Sequence, residues 1–500
     1  MARVIMVQGT MSNVGKSLIT AGLLRMFVQD GYKAAPFKSQ NMALNSYITK
    51  DGLEIGRAQA MQAEACGIEP SVYMNPVLLK PTTDVGSQVI VNGVSVGNMP
   101  AREYFAYKKR LIPDIMHAYQ ELDKEYDIVV VEGAGSPAEI NLKKNDIVNM
   151  GLAKLLDAPV LLVGDIDRGG VFAQLAGTLV LLEDEERARI KGLIINKFRG
   201  DKTILDPGIE MIEQLVKKPV VGVIPYANVD VDDEDSLAGR LSVRSGGEGL
   251  LRLRIVRLPR ISNFTDFHIL EAMEGLDVQY ALSPREIEGA DLIIIPGSKS
   301  TIEDLLWLRS SGLEAAIKKR AAAGAVVIGI CGGYQMMGRQ IRDIVGAESA
   351  KTIRGMELLP VETDFSEQKR TVQVKGRVRR LEGFFAQLSG IEVSGYEIHM
   401  GRSRIEEQSL LDIQREKEMQ DGCVRGKCMG TYLHGIFDSQ EFTQKLIRII
   451  LKDKGCEECE LRAPDMAQYK EEQYDKLAAL VRENVDVKAV YSYMGLEDCG

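Results

Sequence analysis

Short apolar runs alternate with longer amphipathic stretches through most of the chain. Runs of about four to eight β-branched and aliphatic residues are typical of strands buried on both faces, whereas apolar positions three and four residues apart are typical of helices. The amphipathic stretches at residues 17–29 and 146–156 predict helices. The predicted strands are residues 4–7, 33–37, 127–131, 159–163, 192–195 and 219–224 in the first half, and 251–258, 292–295, 326–330 and 429–433 in the second half.

This alternation of strands and helices predicts an α/β protein with two doubly wound parallel-sheet domains. An acidic run at residues 230–236 and a glycine-rich stretch at residues 245–249 interrupt the pattern. Because linkers are polar and rich in glycine, we interpret them as a domain boundary. The predicted division is a first domain over 1–229, an acidic and glycine-rich linker over 230–250, a second domain over 251–441 and a C-terminal helical appendix over 442–500.

Composition is that of an ordinary globular protein, with 45% hydrophobic and 27% charged residues among 500. A net charge of −9 gives no basic surface for nucleic acid. No apolar stretch approaches the roughly 20 residues that a membrane span needs, and the N-terminus lacks a signal-peptide pattern. Seven cysteines, an odd number, indicate reduced thiols. We therefore expect a cytoplasmic enzyme with small-molecule substrates and neither nucleic-acid nor membrane partners, of undetermined oligomeric state.

A glycine-rich loop joins the first predicted strand to the first predicted helix. It ends in Gly-Lys-Ser and has five residues between its two glycines, where the common phosphate-binding loop has four. Such loops bring backbone N–H groups to a polyphosphate, a lysine to the β/γ-phosphates and a hydroxyl to Mg²⁺. The alternative, an ordinary turn with a chance Gly-Lys-Ser, is disfavoured by the flanking strand and helix. The predicted ATP-binding residues here are Gly9, Thr10, Ser12, Asn13, Val14, Gly15, Lys16 and Ser17.

Polar residues follow several predicted strands, where doubly wound sheets bind their ligands. Glu132 is a candidate to hold Mg²⁺ together with Ser17, although a simple strand-terminal turn is the alternative. Asn196 is a candidate to read an adenine edge in ATP. Asp165 is also consistent with a helix N-cap, and the lysines with solvated surface residues. The candidate substrate or phosphate ligands are Lys38, Lys80, Asp165, Asp167 and Arg168.

The elongated loop resembles that of dethiobiotin synthetase and of the ATP-dependent amidases that act on corrin side chains. Both use ATP to activate a carboxylate for attack by a nitrogen nucleophile, and the resemblance implies the same chemistry here. Proteins of the partition type are related, but they carry a lysine early in the loop, where this chain has Met11. The resemblance therefore favours a ligase over a partition ATPase.

The second half contains Cys331 directly after the apolar run at residues 326–330, flanked by glycines. This pattern predicts a cysteine on a sharp strand-to-helix turn, where the helix N-terminus lowers a thiol pKa and supplies N–H donors to an oxyanion. Such a nucleophile needs a base, and His434 follows a predicted strand of the same half. Gly297, after residues 292–295, is a candidate for a second oxyanion donor. The alternative for Cys331 is a buried structural cysteine.

These residues resemble the class I glutamine amidotransferases, which release ammonia from glutamine through a cysteine thioester. The resemblance implies that Cys331 is the nucleophile and His434 the base, with Gly297, Gly332 and Gln335 forming the oxyanion and glutamine-binding positions. The family usually has a carboxylate two residues after the histidine, where this chain has Ile436. Glu397 and Asp438 are candidates for the missing third residue, and His399 is more consistent with packing or substrate binding than with the main base.

A carboxylate-activating ATP site and a glutaminase site in one chain resemble the glutamine-dependent amidases of cobalamin biosynthesis. The most specific segments are 9–17, 37–46, 132–141, 164–172 and 395–401. The resemblance implies ATP- and Mg²⁺-dependent amidation of the b, d, e and g carboxylates of adenosylcobyrinic acid a,c-diamide. Two alternatives stay open at this point: cobyrinic acid a,c-diamide synthase, with the same reaction at other carboxylates, and a non-catalytic partition-type ATPase.

Overall fold

The computed structural model describes residues 1–83, 86–232, 249–414, 419–456 and 461–497. Contacts between residues divide the chain into two units. The first unit holds the described residues of Met1–Ala43, Glu54–Glu234 and Gln468–Gly500, and the second holds those of Leu44–Leu53 and Asp235–Ala467. Residues 233–248 of the predicted linker lie outside the described residues.

This division differs from the predicted one in two places. The predicted appendix is split, because its first part belongs to the second unit and the chain from Gln468 onward belongs to the first. The segment Leu44–Leu53, predicted within the first domain, belongs to the second unit. Both segments pack against residues far away in sequence, and local patterns do not encode such packing.

The strands of the first 250 residues are β1 (Arg3–Gly9), β2 (Ala34–Phe37), β3 (Gln40–Met42), β4 (Ser46–Ile48), β5 (Glu54–Gly56), β6 (Val77–Thr83), β7 (Gly86–Val91), β8 (Val94–Pro100), β9 (Ile128–Glu132), β10 (Val160–Asp165), β11 (Ile190–Phe198) and β12 (Val220–Pro225). Those that follow are β13 (Leu251–Val256), β14 (Ile261–Ser262), β15 (Leu276–Ala281), β16 (Leu292–Ile295), β17 (Gly297–Ser298), β18 (Val326–Ile330), β19 (Gln340–Arg342), β20 (Thr352–Arg354), β21 (Val361–Val378), β22 (Glu392–Ile405), β23 (Leu411–Ile413), β24 (Met419–Asp421), β25 (Cys423–Arg425) and β26 (Cys428–Thr431).

The helices are α1 (Lys16–Gln29), α2 (Arg57–Ala65), α3 (Ala101–Tyr107), α4 (Ile112–Glu125), α5 (Met150–Leu155), α6 (Val171–Leu181), α7 (Asp184–Arg189), α8 (Lys202–Val216), α9 (His268–Ala272), α10 (Pro284–Ile287), α11 (Thr301–Ser310), α12 (Leu313–Ala322), α13 (Gly332–Met337), α14 (Gln440–Asp453), α15 (Met466–Asn484) and α16 (Val487–Tyr493). Within the described ranges, none of these helices is long and apolar enough to cross a membrane.

The main sheet of the first unit is parallel and has the strand order β12-β11-β10-β1-β9-β2. β9 and β10 are buried along their full length, as expected of strands covered by helices on both faces. The strands on one side of β1, β9 and β2, precede in the chain those on its other side, β10, β11 and β12. The strand order therefore reverses at β1. The loop after β1 therefore lies at the switch point, where doubly wound sheets bind ligands. A smaller sheet has the order β3-β6-β7-β8.

The parallel strands of the second unit have the order β15-β13-β16-β18-β26, extended by the antiparallel strand β25. Counted along the chain, this is the 2-1-3-4-5 order of flavodoxin-like sheets. β16 and β18 are fully buried. A further sheet is built around the long antiparallel hairpin of β21 and β22, whose pairing runs from Val361 with Ile405 to Arg377 with Glu392.

The predicted fold class, two α/β domains with doubly wound parallel sheets, is confirmed. Each predicted strand coincides with a strand of one of the parallel sheets. The predicted helix over 146–156 is shorter, because the Asp146 carboxylate accepts N–H groups of Val148, Asn149 and Gly151 and holds a turn before α5 begins. The strands of the smaller sheet and of the β21–β22 hairpin are not predicted from the sequence pattern.

The C-terminal helix α15 packs directly on α1 of the first unit. Its side chains Leu477, Ala478 and Val481 are buried. The close approach depends on Gly22 in α1, where a Cβ atom would lie 2.6 Å from Val481 Cγ2 and 3.1 Å from the Leu477 carbonyl oxygen. A glycine is therefore required in this part of α1 for steric reasons.

We predict that Gly22→Ala destabilises the first unit by about 1–3 kcal/mol, because the added methyl group pushes α15 away from α1. Thermal unfolding should show a lower Tm, and hydrogen exchange should be faster in α15. Gly177→Ala is the matched control, since Gly177 is also helical but a Cβ there meets nothing within 4 Å. The control should be neutral or stabilising by up to about 1 kcal/mol. Equal Tm values for both variants would contradict the packing argument.

Candidate active sites

The glycine-rich loop joins β1 to α1 with two residues in the left-handed region, Asn13 (φ 60°) and Gly15 (φ 97°). Gly15 stands at the N-cap of α1, so the helix N-terminus has no side-chain cap. Such a helix start offers N–H groups to an anion. Ser12 and Asn13 are exposed and Val14 is buried. Before the loop turns, the backbone N–H of Thr10 donates to Val163, and its hydroxyl donates to Gln174 Oε1 at 3.0 Å.

Glu132, at the end of β9, is the centre of a buried polar cluster beside the loop. Its Oε1 accepts from Ser17 Oγ at 2.8 Å and from Lys38 Nζ at 2.9 Å. Its Oε2 accepts from Gln62 Nε2 at 2.6 Å. The structure thus brings Ser17, Lys38 and Glu132 together, as the sequence predicts for a phosphate site. Gln62 carries no sequence signal, because it lies within the ordinary helix α2.

Lys16 lies on the loop itself, where its Nζ donates to the carbonyl oxygens of Met11 at 3.1 Å and Gly135 at 3.3 Å. Gly135 belongs to the loop after β9, so the lysine connects the two strand ends that flank the site. The Lys16 residue is more than nine-tenths buried. A polyphosphate placed at the start of α1 would lie close to its ammonium group and be bound by it.

The oxygen ligands at this site fit Mg²⁺. The ion prefers oxygen ligands and is usually held by one or two protein groups, with substrate phosphates and water completing its shell. Ser17 Oγ and a Glu132 oxygen, 2.8 Å apart, provide such a pair. No cluster of three or more His, Cys, Asp and Glu side chains suited to a metal occurs among the described residues.

Asn196 contacts the loop through its side-chain amide. Its Nδ2 donates to the Val14 carbonyl oxygen at 2.7 Å and lies where a Cβ on Gly15 would be. The amide group has a second N–H and a carbonyl oxygen, so this contact does not contradict the prediction that Asn196 reads an adenine edge, which stays a prediction.

The remaining first-half candidates form separate pairs. Lys80 Nζ lies 2.8 Å from Glu54 Oε1 in a buried pair. Asp165 accepts from Lys197 Nζ at 2.7 Å and from the backbone N–H of Asp167, while α6 has its N-cap at Gly170, so Asp165 is not a helix cap. Asp167 Oδ1 lies 2.9 Å from Arg199 Nε. Arg168 is exposed and makes no ion pair with the residues that the structure describes.

Cys331 lies on a strained turn between β18 and α13, with φ 52° and ψ −107°. Two glycines make the turn possible: a Cβ on Gly333 would be 1.9 Å from the Ile295 carbonyl oxygen, and one on Gly332 would be 2.9 Å from Ser298 N. The thiol is largely buried and donates to the Ile398 carbonyl oxygen at 3.6 Å. Residues held in such conformations cluster at functional sites.

His434 follows β26 and is almost fully buried. Its Nδ1 lies 2.7 Å from Asp266 Oδ2, and the other Asp266 oxygen accepts from the backbone N–H of Gly435 at 3.2 Å. Its Nε2 has no hydrogen-bond partner within the described residues. Gly297 is adjacent, since a Cβ there would lie 3.2 Å from His434 Cε1. The structure thus brings Cys331, His434, Gly297 and Gly332 into one region.

Burial by itself lowers the pKa of His434, but the Asp266 carboxylate and the neighbouring Cys331 thiol more than offset this effect. Together they raise the pKa of His434 to about 10. The imidazolium form of His434 is therefore favoured at neutral pH. An acid and a nucleophile held in this way suit thioester chemistry.

Asp266, and neither Glu397 nor Asp438, is the carboxylate that orients His434. Glu397 Oε2 lies 2.5 Å from Arg370 Nε and 3.3 Å from His399 Nε2. The sequence expectation for the third residue is thus wrong. Asp266 stands 168 residues before His434, in a short 3-10 turn, and no spacing rule connects the two positions.

Gln335 lies one helical turn after Cys331 and contacts Tyr432, a residue that lines a cavity of about 560 Å³ in the second unit. Its Nε2 donates to Tyr432 Oη at 3.1 Å, while its Oε1 is buried without a hydrogen-bond partner in the described part of the chain. The His399 ring stacks on Tyr432 with centroids 3.8 Å apart. His399 and Tyr432 therefore line this cavity together. The charged groups lining the cavity include Lys369, Arg370, Glu397, Arg402 and Asp421.

Comparisons with known proteins divide the chain into two matched regions. The family model described as the CobQ/CobB/MinD/ParA nucleotide binding domain matches residues 5–236. The model described as the CobB/CobQ-like glutamine amidotransferase domain matches residues 252–442.

Whole-length relatives carry one common description. Cobyric acid synthase of Lachnoclostridium phytofermentans is 53% identical over 99% of this chain and 99% of that protein. The protein of that description from Ruminiclostridium cellulolyticum is 52% identical over 100% of this chain and 98% of its own length. The one from Streptococcus sanguinis is 49% identical over the full length of both.

We predict that Asp266→Asn lowers the pKa of His434 by about 1 to 3 pH units, because the carboxylate that opposes the effect of burial is removed. NMR of protein labelled at histidine, of which the chain has four, gives the titration directly. The wild-type pair should stabilise the fold fully below pH 6.5, and this contribution should be lost as the pH rises toward 10. An unchanged His434 titration in Asp266→Asn would contradict the assignment.

Proposed function

The chain belongs to the cobyric acid synthase family, and on that premise we propose that it amidates the b, d, e and g carboxylates of adenosylcobyrinic acid a,c-diamide. Glutamine supplies the nitrogen, and ATP activates each carboxylate. The observation that supports this most strongly is the buried Cys331, His434 and Asp266 arrangement in the same chain as a phosphate loop with a carboxylate at its side.

In the glutaminase half, Cys331 Sγ attacks the side-chain carbonyl carbon of glutamine and forms a tetrahedral intermediate. Backbone N–H groups at Gly297 and Gly332 stabilise its oxyanion, and Gln335 helps to hold the amino acid. His434 gives a proton to the leaving ammonia, which produces the thioester. Water then hydrolyses the thioester to glutamate and restores the thiol. Asp266 keeps the imidazole ring oriented throughout these steps.

In the ATP half, the loop residues 9–17 hold the triphosphate, and Lys16 and Lys38 stabilise the negative charge on the transferred phosphoryl group. The substrate carboxylate attacks the γ-phosphorus, ADP leaves, and an acyl phosphate forms. Ammonia then attacks the acyl carbon and phosphate departs, which leaves the amide. Asn196, which contacts the loop, is the candidate to read an adenine edge. Arg168, exposed near the end of β10, is the candidate for binding a substrate carboxylate, with Asp165, Asp167 and Lys80 as supporting residues.

Ser17 and Glu132 would hold Mg²⁺ on the nucleotide. When bound, the ion neutralises developing charge between the β- and γ-phosphates. Glu132 also keeps the Lys38 ammonium and the Gln62 amide in place, so it organises the site independently of the ion.

We also infer a cytoplasmic location and no nucleic-acid or membrane partner. The net charge of −9 and the free cysteines Cys66, Cys331, Cys423, Cys428 and Cys456 support this inference.

We predict that Cys331→Ala lowers glutamine-dependent amidation by at least about 10³-fold, because the nucleophile is lost. Amidation with added ammonium salt should stay within a few-fold of wild type, since the ATP half is intact. Cys423→Ala is the control, because burial raises the pKa of that thiol to about 12 and it has no proposed role. Loss of both activities in a folded Cys331→Ala protein would contradict the division of labour.

We predict that Glu132→Gln lowers ATP-dependent amidation with ammonium by about 10²–10³-fold, because a charged partner of Lys38 and a metal ligand are removed together. Glutamine hydrolysis by the second unit should persist. Glu125→Gln makes the same chemical change at the exposed end of α4 and serves as the control. Similar amidation rates for the two variants would refute the role of Glu132.

A further inference from the structure

The segment Leu44–Leu53, here called the strap, belongs to the second unit, although the chain on both sides of it belongs to the first. It contains β4 and a turn closed by Thr49, whose N–H donates to the Leu53 carbonyl oxygen at 2.8 Å. The Thr49 hydroxyl in turn accepts from Leu53 N at 3.1 Å. Ile48 is fully buried in a small apolar cluster with Tyr396 and Ile398.

Ser46 of the strap is held by its backbone on two sides. Its N–H donates to Asn263 Oδ1 at 3.1 Å, and its carbonyl oxygen accepts from Tyr396 Oη at 3.3 Å. Both contacts are buried. A third side-chain contact lies two residues further on, where Gln373 donates to the Ile48 carbonyl oxygen. The strap is therefore fixed by hydrogen bonds, and Ser46 receives two of them.

The two residues that hold Ser46 lie beside the two members of the Asp266–His434 pair. Asn263, with φ 51°, is the N-cap of the 3-10 turn Phe264–Phe267 that carries Asp266. Tyr396 stacks on the His434 ring with centroids 5.1 Å apart and an interplanar angle of 15°. The backbones of Tyr396 and His434 also exchange two hydrogen bonds, of 3.1 and 2.9 Å. The two residues that bind the Ser46 backbone are therefore each next to one member of the pair. Asn263 is next to Asp266, and Tyr396 is next to His434.

We propose that the strap positions the glutaminase base: Ser46, through Asn263 and Tyr396, sets where Asp266 and His434 lie relative to Cys331. Asn263 and Tyr396 are then positioning residues for glutamine hydrolysis. This inference rests on the proposed function of the second unit. It adds a residue from the first 50 of the chain to a site otherwise built from residues beyond 260.

A packing role alone does not require the polar contacts made by the Ser46 backbone. A strap that only covered apolar surface would need Ile48 and its neighbours, but no buried polar contacts at Ser46. Buried polar groups are costly unless they are paired. Here the backbone N–H and the carbonyl oxygen of Ser46 are both paired with side chains next to the Asp266–His434 pair. Because small displacements of a base from its nucleophile lower turnover steeply, contacts of this kind have a kinetic effect.

The test uses Tyr396→Phe and Asn263→Gly in the full chain. The first keeps the stacked ring and removes its hydroxyl; the second keeps a residue that tolerates positive φ and removes the acceptor. Each variant should lower kcat for glutamine hydrolysis about threefold to tenfold with KM within about twofold, as expected for one lost buried hydrogen bond. Amidation with ammonium salt should not change. The double variant should lose less than the product of the two single losses, because both changes act on Ser46.

Gln373→Ala is the matched control: it removes the side-chain contact to the strap at Ile48 and leaves both the backbone pairing of this residue with Tyr396 and the two contacts at Ser46 in place. Its kcat should stay within about twofold of wild type. Wild-type kcat in both test variants, or an equal loss in Gln373→Ala, would overturn the positioning role. Absence of glutamine hydrolysis by the wild-type protein would instead refute the proposed function itself, so the two failures are distinguishable.

Discussion

The buried contact between Asp266 and His434 is the interaction on which the chemistry of the second unit depends. A histidine removed from water would ordinarily be neutral. The carboxylate 2.7 Å from Nδ1 reverses this preference and also fixes the ring, so that Nε2 is left for the proposed nucleophile Cys331. The strained turn at Cys331 and the close glycines bring the thiol and the backbone donors to the same place.

In the first unit, too, a buried carboxylate at the end of a strand positions the polar groups of the candidate site. Glu132 gathers a hydroxyl, an ammonium group and an amide around its two oxygens. In both units the functional groups lie after the carboxyl ends of parallel strands, because helices cover the faces of each sheet and leave the strand ends open. The repeated use of one architecture explains how two unrelated chemistries occur in one chain, each with its own buried charge pair.

The parts of the two candidate sites that could be predicted from the sequence are those formed by residues close together in the chain. The loop before Lys16 and the turn at Cys331 follow directly from glycines placed next to an apolar run. Fully buried strands are similarly visible as unbroken apolar runs. Asp266 and Gln62 could not be found in this way, because each is an ordinary residue of a short turn or helix that folding brings to a distant partner.

The β21–β22 hairpin and the strap also could not be predicted from the sequence pattern. Strands that are partly exposed carry a mixed polar pattern, which does not distinguish them from loops. Contacts such as those of Ser46 and Ile48 with residues more than 200 positions away, and no local pattern, assign the strap to the second unit. Where the sequence departs from a usual pattern, as at Ile436, the structure shows that the missing group comes from another element.

We propose that this one chain transfers glutamine nitrogen to corrinoid carboxylates at the expense of ATP. The most direct measurement is mass spectrometry of the corrinoid after incubation with ATP, Mg²⁺ and glutamine labelled with ¹⁵N in its side-chain amide. The account predicts that adenosylcobyrinic acid a,c-diamide gains four labelled amides, with one ATP consumed for each. A corrinoid without label, or label only when cobyrinic acid is offered with its a and c carboxylates free, would contradict it.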